Sequence, residues 1–260
     1  IIISMMSNLR PLFKDFDEEH PLNRYGYQVT RHGDLSSFQD LKNKFRDHLK
    51  EALLAQNKNI SAADDFTLEN YHNFLEKHDV NQHEFISKVT RILPDSFIKH
   101  PFILAMQEIA GQQTGKKFRI YKDKVEFRVV RPQHGDNNEF HRDHWFPYFT
   151  PLMNVYLPIS GSNCDSAMCI VPFSHKWSDD DVKPTFTFEE SQAGKKFIGK
   201  NGVAYSVPSI ESTKKEIKPH RPDILEGDFM LFSPLMVHGG GSNSSVHTRF
   251  SFEIRLEEIN

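Results

Sequence analysis

The 260-residue sequence lacks several features that define common protein classes. It has only two cysteines, Cys164 and Cys169, which excludes the disulfide framework of small secreted proteins and favours a reducing cytoplasm. No apolar run is long enough to span a bilayer, and a net charge of -3 gives no overall attraction to nucleic acid or to an anionic membrane. We therefore expect a cytoplasmic protein that binds neither nucleic acid nor a membrane.

Motifs of several enzyme classes are also missing. The sequence has no internal repeat, no Gly-rich phosphate loop and no nucleophile elbow, and the glycines at 239–241 are not followed by Lys-Ser or Lys-Thr. The two cysteines have no second pair with which to form a zinc site. Hydrophobic residues make up 38% of the chain, with 22 phenylalanines, which is enough apolar bulk for a sizeable core.

The spacing of apolar residues changes near Gly115. Before it they recur at helical intervals, whereas after it short runs rich in β-branched and aromatic residues are separated by turn residues. The predicted helices are Ser36–Ala55, capped by Ser36, and Phe66–Lys77, Gln82–Leu93 and Pro101–Gln113. The predicted strands are Lys117–Tyr121, Glu126–Val130, Leu152–Leu157, Met168–Val171, Asp228–Phe232 and Arg249–Leu256.

This order of elements predicts an α+β protein with a mainly β core. Many short strands without intervening helices favour an antiparallel barrel or a two-sheet jelly roll over a parallel sheet. We expect one domain over residues 1–260, with a helical part at about 1–115 and a barrel at about 116–260. The charged segment Trp177–Leu225 has little periodicity, and we interpret it either as a lid over a site or as a plain surface insertion.

Three residues have the chemistry of a metal site. His141 and Asp143 are two residues apart, so on a strand both side chains project from one face. His238 lies where a predicted strand meets a Gly-rich turn, a position from which an imidazole can point into a barrel mouth. Two imidazoles and one carboxylate form the ligand set of many non-haem iron oxygenases, so we predict that these residues bind a metal.

The last predicted strand carries a second unusual pattern. Arg249, Ser251 and Glu253 share one face, and Phe250 and Phe252 share the other. If the aromatic face packs against the helices, Arg249 points into the barrel and needs an anionic partner, because an unpaired buried charge is costly. The distal carboxylate of 2-oxoglutarate would be such a partner, with the Ser251 hydroxyl as a second donor.

Together these segments resemble the phytanoyl-CoA dioxygenase family of 2-oxoglutarate oxygenases. The resemblance covers roughly the C-terminal half of the chain. The similar segments are His141-Arg142-Asp143, Val171–Lys176 with Phe173 in place of the usual Gly, Gly227-Asp228, Asn243-Ser244, and His238 with Arg249 eleven residues later. The helical first half shows no motif of the family.

The resemblance implies a double-stranded β-helix, a jelly-roll or cupin-like barrel, flanked by N-terminal helices. It implies that His141, Asp143 and His238 hold Fe(II), and that 2-oxoglutarate and O2 are consumed to give succinate, CO2 and a hydroxylated product. The implied contacts to 2-oxoglutarate are Arg249, Ser251 and Asn154, and the candidate substrate contacts beside the metal motif are Arg142, His144 and Trp145. The polar residues near the metal favour a small polar or anionic substrate over a long acyl chain.

Two alternatives stay open at this stage. A cupin-type metal enzyme that does not use 2-oxoglutarate would have a similar barrel, but it would have no use for Arg249. A non-enzymatic barrel that binds a small molecule would not require the three metal ligands and the arginine together.

Overall fold

The computed structural model describes residues 16–89, 91–199 and 204–259. The helices are α1 Pro21–Arg24, α2 Leu35–Gln56, α3 Tyr71–Lys77, α4 Gln82–Val89, α5 Asp95–Ile98, α6 Pro101–Thr114 and α7 Phe188–Gln192. The strands are β1 Tyr27–Thr30, β2 Phe118–Val130, β3 Met153–Ser160, β4 Cys169–Ile170, β5 Val182–Pro184, β6 Phe197–Ile198, β7 Ala204–Tyr205, β8 Ile210–Thr213, β9 Phe229–Phe232, β10 His238–Gly239 and β11 Arg249–Glu258. The predicted fold class, helices followed by a mainly antiparallel β core, is confirmed.

Helix α2 forms where the apolar spacing predicts it and extends one residue further at each end. Its five buried side chains recur every three or four residues and form one stripe that faces the sheet, namely Phe38, Leu41, Phe45, Leu49 and Leu53. The predicted cap, Ser36, is wrong. Asp34 caps the helix instead, because its carboxylate accepts the backbone N–H of Ser37 at 2.9 Å.

Two of the other predicted helices are shorter than expected. The helix predicted from Phe66 begins only at Tyr71. The chain from Phe66 to Leu68 is not helical, and both of these residues are buried although they are two residues apart. The helix predicted to reach Leu93 is described only to Val89, and Ile92 instead forms an isolated β-bridge with Glu126.

The main sheet has five strands in the order β1-β9-β3-β11-β2, and every neighbouring pair is antiparallel. Strands β10 and β4 form a separate pair beside it. One face of the sheet packs on the helices in a single hydrophobic cluster that contains residues of α2, α6 and β11. The domain predicted over residues 1–260 includes residues 1–15, which lie outside the described residues.

Strand β2 replaces the two strands predicted at 117–121 and 126–130. It pairs with β11 over residues 118–120 and again over residues 125–130. At the break between these two parts, Ile120 faces Leu256 and Val125 faces Ile254. Residues 121–124 therefore leave the ladder opposite a single residue of β11, Arg255, which makes a bulge of four residues against one. Within it Lys122 and Asp123 adopt left-handed backbone angles, with φ of 52° and 47°, a conformation that non-glycine residues rarely occupy.

The charged segment Trp177–Leu225 is more ordered than its sequence suggests. It contains two small antiparallel pairs, β5 with β8 and β6 with β7, and the short helix α7. Residues 200–203 of the segment lie outside the described residues.

Among the described residues, none of the helices is both long and apolar enough to cross a membrane.

Phe45 is central to the contact between the helices and the sheet. Its side chain is fully buried, and its ring centroid lies 5.0 Å from that of Phe252, 5.5 Å from that of Phe250 and 5.3 Å from that of Phe127, each in an edge-to-face arrangement. Such pairs add to the stabilisation that burial alone gives.

We expect Phe45→Ala to lower the free energy of unfolding by about 3–5 kcal/mol, because it removes a large buried side chain and leaves a cavity. Denaturant unfolding measures this. Leu104→Ala is the matched control, since Leu104 is 44% exposed on α6, and its change should stay within about 0.5 kcal/mol. Equal losses in the two variants would contradict the central role of Phe45.

Candidate metal centre

His141 and His238 are brought together by backbone pairing. The two residues form an isolated antiparallel bridge in which each backbone N–H donates to the other's carbonyl at 3.0 Å. The imidazole centroids are 4.3 Å apart. The Nδ1 atom of His141 contacts the Glu139 carbonyl at 2.8 Å, and that of His238 contacts the Met236 carbonyl at 2.9 Å. A carbonyl only accepts, so both Nδ1 atoms carry the proton and both Nε2 atoms keep a free lone pair.

A turn that resembles the family's motif holds the segment before His238. The backbone N–H of Val171 donates to the Val237 carbonyl at 2.9 Å, and that of Val237 donates to the Ser174 hydroxyl at 2.8 Å. Phe173, where the resemblance has Gly, adopts a left-handed φ of 67°. Its ring is half exposed beside Tyr25, so the side chain fits although the backbone angle favours glycine.

Asp143 completes a group of three potential ligands with the two histidines. Its Oδ1 atom lies 3.6 Å from His141 Nε2 and 3.8 Å from His238 Nε2. One ligand atom from each residue lies within 4.8 Å of the others, and all three residues are buried. The prediction that Asp143 lies on a strand is wrong, because a 3-10 turn, Asp143–Trp145, begins at this residue. Arg142 before it is extended, so the side chains of His141 and Asp143 still share a side.

The pKa values of His238 and Asp143 suit the binding of a divalent metal ion. Burial and the neighbouring His141 lower the pKa of His238 to about 4, so its imidazole is neutral at neutral pH. Burial raises the pKa of Asp143, but the Arg255 guanidinium and the two histidines outweigh it and hold that pKa well below its usual range. The donor set, two imidazoles and one carboxylate, fits iron(II) or a similar divalent ion.

Arg249 and Ser251 line the same cavity as the three potential ligands. Arg249 is buried, and its Nη1 donates to the Ser166 carbonyl at 3.0 Å. Within the described residues, Arg249 Nε and Ser251 Oγ have no hydrogen-bond partner, and Arg249 makes no ion pair. Buried polar atoms are rarely left in this state, so the two side chains offer a binding place for an anion.

Asn154 and Arg255 contact the carboxylate of Asp143. Asn154 Nδ2 donates to Asp143 Oδ2 at 3.0 Å, and Arg255 Nη2 lies 3.1 Å from the same atom. The predicted contact of Asn154 with 2-oxoglutarate stays a prediction, and the Oδ1 atom of Asn154 has no partner among the described residues. Arg255 was not predicted, although it continues the alternation of Arg249, Ser251 and Glu253 on β11.

The three candidate substrate contacts lie elsewhere. Arg142 is fully buried, and its Nη2 donates to the Trp177 carbonyl at 3.1 Å, while its Nη1 reaches Asp179 at 3.4 Å. His144 also contacts Asp179, at 3.4 Å. None of Arg142, His144 and Trp145 lines the cavity around the metal centre. The structure therefore does not bring these three residues to the potential ligands, and it gives Arg142 a role in anchoring the segment that begins at Trp177.

Comparisons with known proteins agree with this geometry. The family model of phytanoyl-CoA dioxygenase matches residues 22–251. Among curated proteins, none matches the chain significantly.

Solved structures with a similar fold include EvdO2 from Micromonospora carbonacea var. aurantiaca, complexed with 2-oxoglutarate. It has a TM-score of 0.53 and 8% identity, over 94% of this chain and 91% of that one. EctD from S. alaskensis, with 2-oxoglutarate and 5-hydroxyectoine, has a TM-score of 0.52 and 15% identity, over 96% and 81%. The non-heme monooxygenase ThoJ has a TM-score of 0.51 and 11% identity, over 93% and 77%. At these identities the likeness shows the fold.

We expect His141→Ala and His238→Ala each to weaken binding of Co(II), a spectroscopic substitute for iron(II), by more than about 100-fold. Each removes a direct ligand, and loss of an outer-shell partner alone typically costs about 10–100-fold in metal affinity. Titration calorimetry on the purified protein measures the change. His83→Ala, on the exposed side of α4, is the control and should bind as the wild type does. Full affinity in both variants would show that the two histidines are not metal ligands.

Proposed function

This chain belongs to the phytanoyl-CoA dioxygenase family, and from that premise we propose that it is an Fe(II)- and 2-oxoglutarate-dependent dioxygenase that hydroxylates a small polar or anionic metabolite. Succinate and CO2 would be the products of the cosubstrate. The observation that carries the proposal is a single cavity lined by His141, Asp143 and His238 and also by the unpaired Arg249. A cytoplasmic location stays a prediction from the cysteine content.

The cavity supports 2-oxoglutarate as the cosubstrate because of its balance of charges. Three arginines and three carboxylates line it, namely Arg128, Arg249, Arg255, Asp136, Asp143 and Glu253. Arg128 pairs with Glu253 at 2.9 Å, Arg255 with Asp143 at 3.1 Å, and Asp136 with Arg131 at 2.8 Å. Of the three arginines that line the cavity, Arg249 is then the one that has no carboxylate partner among the described residues. A dicarboxylate that chelates the metal at one end would place its other carboxylate in reach of such a group.

The residues of this chain would each have a separate task. His141, Asp143 and His238 would hold iron(II), which when bound supplies O2 activation coupled to decarboxylation of the cosubstrate. Arg249 and Ser251 would orient 2-oxoglutarate by binding its distal carboxylate. Phe146, Phe149 and Val207 line the cavity and would limit the entry of water.

A second compartment beside the metal centre supports a polar or anionic substrate. It shares Phe149, Glu253 and Arg255 with the main cavity, and the bulge of β2 forms its outer wall. Its other lining residues are Tyr121, Lys122, Lys124, Glu126 and Tyr148. Such a surface offers hydrogen-bond donors and two lysines beside the metal centre, which suits a polar or anionic ligand.

The direct test is succinate release by the iron-loaded protein, scored across a panel of metabolites that differ in charge and size. We expect turnover of 2-oxoglutarate that rises with the correct polar or anionic substrate. Metal binding without any 2-oxoglutarate binding would instead favour a cupin-type metal enzyme. Small-molecule binding without metal would favour a non-enzymatic barrel.

We expect Arg249→Ala to weaken 2-oxoglutarate binding by about 2–4 kcal/mol, the range for stripping a buried charge of its partner. Arg249→Lys should restore only part of it, because an ammonium group cannot reproduce the two-pronged contact. Titration of the visible band of the iron-2-oxoglutarate complex gives the affinity. Arg119→Ala, which removes an exposed arginine of β2, is the control. An unchanged affinity in Arg249→Ala would place this residue outside the cosubstrate site.

We further propose that the segment Trp177–Leu225 covers the site. Val207 lines the main cavity, the backbone N–H of Ile210 donates to the Phe140 carbonyl at 3.0 Å, and Tyr205 Oη donates to the Gly135 carbonyl at 3.2 Å. The segment thus crosses the residues that precede the metal motif. A cover of this kind would keep water from the reacting atoms.

If the segment is a lid, proteases should cut the metal-free protein first between Ser178 and Arg221, and cosubstrate with substrate should slow this cleavage several-fold. Limited proteolysis followed by mass spectrometry measures both the sites and the rates. A partial deletion of the segment that keeps full coupled turnover would show instead that it is a plain surface insertion.

A further inference from the structure

The two carboxylate oxygens of Asp143 have different surroundings. Oδ1 faces the ligand atoms of His141 and His238 at 3.6 and 3.8 Å. Oδ2 points the other way and has two donors, Asn154 Nδ2 at 3.0 Å and Arg255 Nη2 at 3.1 Å. Both donors are side chains of this chain, so the asymmetry is built by the protein itself.

Arg255 is fixed in this position from several sides. It lies on β11, which pairs with β2 on one edge and with β3 on the other. Its guanidinium carbon lies 4.3 Å from the ring centroid of Phe149, a cation-π contact. Its side chain is only 19% exposed, and Glu253 on the same face of the strand adds a favourable charge. A guanidinium held this firmly loses little entropy when it orients a carboxylate.

We infer that Arg255, together with Asn154, makes Asp143 a ligand through Oδ1 alone. A carboxylate whose second oxygen is free can bind a metal with both atoms and so take a further coordination position. Two donors on Oδ2 prevent this, because binding the metal through that atom would break both contacts. His141, Asp143 and His238 would then each offer the metal one atom. This inference rests on the proposed function for the identity of the ligands, and it names Arg255 as a positioning residue.

The way in which Asp143 binds the metal would also affect the binding of 2-oxoglutarate. A metal held here would need room beside its protein ligands for 2-oxoglutarate and O2. If Asp143 turned and offered both oxygens, it would take up part of that room, and 2-oxoglutarate binding would fall even with Arg249 intact. Arg255 would therefore affect the cosubstrate without touching it.

The test compares Arg255→Gln, Arg255→Lys and Asn154→Ala with the wild type, and uses Arg119→Gln as the matched control. Arg119 is an arginine of β2 that is 62% exposed and pairs with Glu257. The readouts are Co(II) affinity by calorimetry, the visible d-d spectrum of the Co(II) protein, and 2-oxoglutarate affinity of the Co(II) protein. Melting temperatures identify variants that have lost their fold, and Asn154→Ala tests the same contact if Arg255→Gln does not fold.

We expect Arg255→Gln to lower Co(II) affinity by on the order of 10–100-fold, as for other outer-shell partners, to alter the d-d spectrum and to weaken 2-oxoglutarate binding. Arg255→Lys should keep part of each property, and Arg119→Gln all of them. Unchanged affinity and spectrum in folded Arg255→Gln and Asn154→Ala would overturn the inference. That result is distinct from failure of the proposed function, in which the wild type itself would bind no Co(II) or would keep it in His141→Ala.

Discussion

The alternation of side chains along β11 is the constraint on which the rest of the structure depends. Phe250 and Phe252 point to one side and meet Phe45 of α2, while Arg249 and Ser251 point to the other and line the cavity. Because β11 is paired on both edges, a shift of one residue would break two ladders and bury the arginine among aromatic rings. Stability and binding chemistry are thus fixed by the same register.

Sequence periodicity predicted much of this arrangement, but only where neighbours along the chain decide it. The stripe of α2 and the two faces of β11 follow from spacing alone, so both were predictable. The cap of α2 was not, since Asp34 and Ser36 are both good caps and only the local backbone selects one. The helix predicted over Phe66–Lys77 is shorter than expected for a related reason: Phe66 and Leu68 are both buried although they are two residues apart, a spacing that a helix would place on nearly opposite sides.

Prediction of the site from the sequence has the same limit. The three potential metal ligands and Arg249 were predictable, because residue type, order and spacing single them out. The surroundings of Arg142 were not predictable, since the sequence places it between two potential ligands, whereas its contacts to Trp177 and Asp179 arise only on folding. Arg255 was missed for the opposite reason. It is two residues beyond the recognised pattern, and its importance comes from a contact with Asp143, more than a hundred residues earlier.

The buried charges also bear on the choice between the proposed oxygenase and its rivals. Asp143, Arg255, Glu253 and Arg128 alternate in sign, so the part of the cavity wall that they form is electrically balanced by its own side chains. Arg249 stands apart from this chain of charges. In a metal enzyme without a dicarboxylate, only the Ser166 carbonyl and the Tyr156 ring would offset the desolvation cost of that guanidinium, and the same holds for a barrel that binds a neutral molecule. A ligand that brings one carboxylate to Arg249 and chelating oxygens to the metal offsets the cost at both ends, and this favours 2-oxoglutarate over either alternative.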